Sequence, residues 1–192
     1  MWQLFIDFIS KICVPDAAAL EAAQQVFTTV SIRKGAYFIR EGEICTSMGF
    51  IGHGLCRSFY VNEKGEEVTR CFAKEGEMET SFQSFISGEP SRLSIIAMED
   101  TTLLEINKRS LDELLDKYLF WNQFTRVLIA REYLKMTQQA EDSKTDSAII
   151  KYRKILELEP DLLQRVPLHC IASYLGISSR HLTRMRKAVT LH

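Results

Sequence analysis

Between Ser178 and Lys187 the chain spaces polar and basic residues as one face of a helix would. Arg180, Thr183, Arg184 and Lys187 lie three or four residues apart, with Ser178 and Ser179 just ahead. A guanidinium on such a face can make the paired hydrogen bonds that read guanine in the major groove, which marks Arg180 and Arg184 as candidate base readers. Ser178, Ser179, Thr183 and Lys187 suit phosphate or single base contacts, and Arg186 falls toward the flank. Either serine can also cap the helix. The alternative is an ordinary solvated face, which charge alone does not distinguish.

The scaffold around this face decides between the two. Ile171, Ala172, Leu175, Gly176, Ile177, Leu182 and Met185 fall in the register of a helix-turn-helix. Two steeply crossing helices need apolar residues on their facing sides and a small residue where the backbones approach, here Ala172. The sharp turn needs a residue that accepts positive φ, here Gly176. Leu182 and Met185 then face inward and leave the basic set outside. After Asp161 there is no acidic residue, while Arg165, Arg180, Arg184, Arg186 and Lys187 are basic. The net charge over 192 residues is −1, so basic character is concentrated at one end. Double-stranded DNA is the expected partner.

The length suits one large or two modest domains of a globular protein. No apolar run is long enough to cross a bilayer, so no membrane partner is expected. Residues 1–14 are apolar but carry Asp7 and lack a basic start, which predicts a packed helix rather than a signal peptide. The five cysteines, Cys13, Cys45, Cys56, Cys71 and Cys170, are scattered without a Cys-x-x-Cys pair. They argue for reduced, mostly buried thiols in a cytoplasm and against a disulfide framework or a zinc or iron–sulfur site. His53, His169, His181 and His192 have no ligand spacing, so no metal site is expected. No nucleophile–base pair and no phosphate-binding glycine loop stands out, and an enzyme with catalytic residues is not expected.

Upstream, Asp16 predicts a cap for an alanine-rich helix to Gln25. From Val26 the period changes to two. Strands are predicted at Val26–Ile32, Tyr37–Ile39, Ser47–Ile51, Leu55–Val61, Val68–Phe72, Leu93–Ala97 and Leu103–Ile106, separated by glycine-rich turns. Such regular short strands predict a closed or sandwiched antiparallel structure. Ser110 can cap a helix from Leu111 to Lys117. A longer helix is predicted from Tyr118 to Ala140. In it Phe120, Phe124, Val127, Arg131, Leu134 and Gln138 recur at four- and three-residue spacing, a seam along which two helices can pair. Packing on the chain's own β domain is the alternative, and one helix can do both on different faces. Glu141–Asp146, with Ser143 and Thr145, reads as a polar hinge before a helix from Ser147 to Leu158. Pro160 ends that helix, Asp161–Arg165 makes a short turn, and Pro167 opens the first helix of the motif.

This order of elements resembles the Crp/Fnr superfamily of bacterial transcription regulators over nearly the whole chain. The resemblance is carried by residues 33–43 (RKGAYFIREGE) and by residues 160–167 (PDLLQRVP) running into residues 171–177 (IASYLGI). The second stretch is similar to a subgroup common in Bacteroidetes-type bacteria. The implied fold is α+β: an N-terminal antiparallel, jelly-roll-like β-roll with flanking helices (1–117), a long dimerisation helix (118–141) and a small all-α helix-turn-helix domain (142–192). The implied function is a cytoplasmic homodimeric regulator on a two-fold symmetric operator, with RNA polymerase as a further partner.

Departures from the family's pattern narrow the ligand. Nucleotide-binding members supply Gly-Glu-Leu for the ribose and Arg-Ser for the cyclic phosphate. Without gaps from Gly76, this chain has Thr80-Ser81-Phe82 and Ser91-Arg92 at those places. A one-residue shift of Arg92 in a strand would turn it to the other face. A buried phosphate without its guanidinium partner is costly, so cyclic AMP is not the expected effector. An unknown small-molecule effector would meet Glu77, Thr80, Ser81, Phe82, Ser91 and Arg92. Glu77, Glu79, Glu89 and Arg92 either line an altered pocket or are solvent-facing loop charges. Cys13 alone does not match the family's clustered iron–sulfur cysteines, and no residue here carries haem sensing over. The family's β-hairpin wing would follow Lys187, where only residues 188–192 remain, so weaker backbone contacts are expected. The rival reading is a ligand-sensing or protein-interaction module whose DNA head does not function.

Overall fold

The structure is a computed structural model that describes the backbone of residues 1–190 and the side chains of all of these except 139, 142–145 and 188–190. Helix α1 (Trp2–Ser10) buries Phe5 and Ile9, which its four-residue spacing places on one face. Helix α2 (Ala17–Val26) starts as expected at Asp16, whose Oδ1 accepts the Ala19 amide at 2.7 Å.

Among the described residues, eight strands follow: β1 (Thr28–Ile32), β2 (Tyr37–Ile39), β3 (Ser47–His53), β4 (Leu55–Val61), β5 (Glu67–Lys74), β6 (Met78–Glu79), β7 (Ser94–Ala97) and β8 (Thr101–Asn107). A short helix, α3 (Phe82–Ser87), lies between β6 and β7. All pairings are antiparallel, in two four-stranded sheets ordered β1-β8-β3-β6 and β2-β7-β4-β5. β6 and α3 are absent from the sequence reading because each is too short to show a period. Val26 ends α2 rather than opening β1.

Helix α4 (Lys108–Lys117) begins before Leu111. Its cap is Asn107, whose Oδ1 accepts the Ser110 amide at 2.9 Å, so Ser110 is not the cap. Helix α5 (Leu119–Thr145) runs past both Ala140 and the expected boundary at 141. The backbone is thus helical through most of Glu141–Asp146, and the break falls at Asp146–Ser147. Polar residues on an exposed helix do not end it; they need a breaker, and none occurs there. The side chains of Ser143 and Thr145 lie outside the described residues. Helices α6 (Ala148–Leu158), α7 (Leu162–Arg165), α8 (Leu168–Leu175) and α9 (Ser179–Thr190) complete the chain.

Two apolar cores result. The first joins α1, α2, the roll, α4 and the start of α5. Phe5 packs against Phe50 and Trp121 with ring centroids 5.2 and 6.3 Å apart, and the Trp121 indole N–H donates to Ala19 O at 3.1 Å. Burying each such ring contributes about 1.5–3 kcal/mol. The second core gathers Tyr152, Ile155, Leu162, Val166, Cys170, Ile171, Ala172, Leu175, Leu182 and Met185 from α6–α9, with Leu55 of β4. Among the described residues no helix is long and apolar enough to cross a membrane.

Candidate nucleic-acid interface and roll interior

α8 ends where Gly176 takes φ +70°, and the Ile177 amide returns to Ala172 O at 3.0 Å. This closes the helix end with a left-handed residue, the conformation that favours glycine. The chain then turns into α9, where the Ser178 hydroxyl accepts the His181 amide at 3.2 Å, so Ser178 is the cap. Leu182 and Met185 are buried against α8, with Leu182 fully enclosed. Ser178, Ser179, Arg180, Thr183, Arg184 and Lys187 are all exposed. Arg180, Thr183, Arg184 and Lys187, spaced three and four apart, therefore share a solvent-facing side of α9, with Ser178 and Ser179 exposed at its start. The Thr183 hydroxyl donates back to Ser179 O at 2.9 Å. That bond leaves the hydroxyl lone pairs of Thr183 available as acceptors.

Arg165 does not join this basic surface. Its Nη1 and Nη2 donate to the Glu75 carboxylate at 2.9 and 2.8 Å, and its Nε and Nη2 also reach Glu99. Sequence reasoning counted it with the DNA-facing charges because partners ninety and sixty-six residues upstream leave no local pattern.

The expected effector residues divide. Ser81 and Ser91 come together in the interior with hydroxyl oxygens 2.7 Å apart. Ser91 donates to Leu93 O at 2.7 Å, so its one hydroxyl proton is committed and Ser81 is the donor between them. Thr80 donates to Ser47 O at 3.0 Å. Phe82 and Arg92 are exposed and lie outside this group. Glu77 sits at the rim, where its carboxylate accepts the Lys74 amide at 3.0 Å and approaches Lys135 at 4.0 Å. Glu89 is an exposed loop charge.

Glu79 is not a loop charge. It is 6 % exposed on β6, with Oε2 accepting from Ser58 at 3.2 Å and Oε1 accepting the Thr80 amide at 3.0 Å. Burial pushes its carboxyl up to about 7, against the opposing effect of these hydrogen bonds and the Arg70 charge. Burial and the Glu79 charge likewise push the Cys56 and Cys71 thiols up to about 12, so both are neutral and unreactive at ordinary pH. Of the expected effector residues, Ser81 and Ser91 are thus buried and paired with each other, while Phe82 and Arg92 are exposed.

Arg57 is a further residue that sequence reasoning passes over. It is 5 % exposed on β4, donates to Thr69 Oγ1 at 2.8 Å and Glu67 Oε2 at 2.6 Å, and lies 4.5 Å from the Phe59 ring centroid. The available signal is the run Leu55-Cys56-Arg57-Ser58-Phe59, which is buried throughout. A strand buried on both faces loses its alternation.

Residues 29–118 match the family described as Cyclic nucleotide-binding domain. No curated protein matches the chain. Solved structures share its fold. A Crp/Fnr-family protein of Eubacterium rectale is 18 % identical, with TM-score 0.71 over 92 % of this chain and 84 % of that one. FixK2 of Bradyrhizobium japonicum is 21 % identical, with TM-score 0.71 over 86 % and 85 %. CLP of Xanthomonas campestris, described as a c-di-GMP responsive global regulator, is 17 % identical, with TM-score 0.71 over 92 % of both chains. Together these likenesses show the fold expected from the sequence.

Proposed function

We propose that this chain is a DNA-binding transcription regulator of the Crp/Fnr type. The observation that carries the reading is the two-sided character of α9. Leu182 and Met185 are buried in the head, while Arg180, Thr183, Arg184 and Lys187 stand exposed on the same helix. α8 and α9 with the Gly176 turn are read as the helix-turn-helix, and α9 as the helix that enters the major groove.

The reading includes a homodimer formed along α5. Phe120 and Phe124, the first residues of the seam, are buried in the chain's own core. Farther along, Ile129, Tyr133, Leu134 and Met136 are apolar and exposed. Exposed apolar side chains at this spacing favour a second copy of the helix over water. A two-fold axis then sets half-sites roughly 34–36 Å apart. The roll is read as insensitive to cyclic AMP, because Ser91 stands where the family has its phosphate-binding arginine and Arg92 is exposed.

Selection of bound sequences from a random DNA pool at about 150 mM salt tests the reading, since screening there suppresses loose electrostatic binding. Enrichment of an inverted repeat is the expected result. A folded dimer that enriches nothing, even with metabolites of a cell extract present, favours an interaction module with an inactive head.

A further inference from the structure

The head of α6–α9 packs against the outer side of β4 and β5, and the contact has three layers. In the middle, Leu55, Phe72 and Met98 of the roll meet the head core, with the Phe72 and Tyr174 rings 5.6 Å apart. At one end the Thr69 amide donates to Ser173 Oγ at 2.9 Å, and Ser173 Oγ donates to Glu67 O at 2.9 Å. At the other end is a cluster of ions. Arg165 forks onto Glu75 and also pairs with Glu99, while Lys74 Nζ lies 3.2 Å from Asp161 and 3.4 Å from Glu159.

Arg165 joins three segments. It sits on α7, Glu75 follows β5 and Glu99 lies in the β7–β8 turn. Glu75 is itself fixed, because its Oε1 also accepts the Gly54 amide at 2.8 Å. Gly54 has φ +101°, and a side chain there would meet Thr101 at 2.5 Å, so the β3–β4 turn that offers this amide admits glycine alone. Burial would raise Glu75, but Arg165 and the backbone amides outweigh it and hold the carboxyl at about 2. Arg165 is 22 % exposed, enough enclosed for the fork to resist screening. Without it, Glu75, Glu99, Asp161 and Glu159 remain in one cluster with Lys74 to offset them.

We propose that Arg165 is a latch that holds the head in its docked position on β4–β5, so that this hairpin and the reading helix move as one body while the latch is closed. The head keeps ten buried residues of its own in the second core, so opening the latch uncovers Leu55, Phe72 and Met98 but does not unfold it. Arg165 is a positioning residue. Its effect on operator binding rests on the regulator reading; the latch itself does not.

The test is hydrogen exchange on the full chain without DNA. The Thr69 amide faces the head and reports docking through its bond to Ser173. Arg165→Ala should raise exchange at Thr69 by about tenfold or more, with the β4–β7 ladder unchanged, and Arg165→Lys should give a smaller rise. Should the alanine variant exchange faster throughout, Glu99→Gln, which removes one arm at constant volume, should give a rise confined to Thr69. Wild-type exchange at Thr69 in all of these variants overturns the latch. A wild-type chain that selects no DNA sequence overturns the regulator reading and leaves the exchange result standing.

Discussion

Ser58 and Glu79 face each other across the inside of the roll, the serine hydroxyl donating to the carboxyl at 3.2 Å. Among the described residues, Glu79 is therefore held by weak neutral donors rather than by a cation within bonding distance. Its carboxyl is raised to about 7 from an ordinary 4.5. The folded chain thus binds the proton more tightly than the unfolded chain does. Stability from this group is fully present below about pH 4.5 and is lost as pH rises through 7. Glu79→Gln should leave stability little changed in acid and raise it above pH 7, by up to about 3 kcal/mol. Denaturant melts at pH 4.5 and pH 8 check this; equal effects at both would show that the carboxyl ionises freely in the fold.

Arg184 and Arg180 stand exposed on α9 above the buried Leu182 and Met185. As base readers, either changed to alanine should cost about 1–3 kcal/mol on the selected operator and relax choice at one base pair. Lys187→Ala should weaken all sequences alike and reduce the salt dependence. Titrations of the operator and its single-base variants separate these patterns. Uniform loss for Arg180→Ala and Arg184→Ala would make both mere phosphate contacts.

Leu134 is 65 % exposed and Tyr133 is 66 % exposed on α5. Leu134→Asp should weaken self-association by about tenfold or more, because it places a charge in the apolar seam. Sedimentation across a concentration series reads this directly. An unchanged association constant would remove α5 as the pairing surface.

Ser91, which an ungapped alignment puts opposite the family's phosphate-binding arginine, is buried and bonded to Ser81, and Arg92 beside it is exposed. Calorimetric titration with cyclic AMP should show no binding at about 1 µM or tighter, which is about −8 kcal/mol. Micromolar binding would mean that Arg92, now exposed, swings inward on contact with the ligand.

How far these features were legible from the residues follows from how local each one is. Asp16 and the helix it caps, the Tyr37–Ile39 and Leu55–Val61 strands, and the Gly176 turn depend on neighbours a few residues away, and each is where the pattern places it. The outward face of α9 is legible for the same reason. Asn107 displaces Ser110 as a cap because both are good caps and only the strand end at Asn107 decides which is used. Glu79 and Arg165 are illegible for a different reason. A buried carboxyl and a forked guanidinium are defined by what folds over them, and those partners lie far along the chain. Glu79 sits among charged residues of a loop-like stretch, so composition alone places it in solvent.

β5 is the outermost strand of its sheet, and the head lies along it. Ser173 supplies both a donor and an acceptor to a rim that would otherwise face water or another chain. An uncovered strand rim is a template on which a neighbouring copy can add a strand of its own. The head therefore covers this rim of the roll, whatever else it binds. A chain cut before α6 would lose that shield and should tend to aggregate through β5, however well its own core is packed.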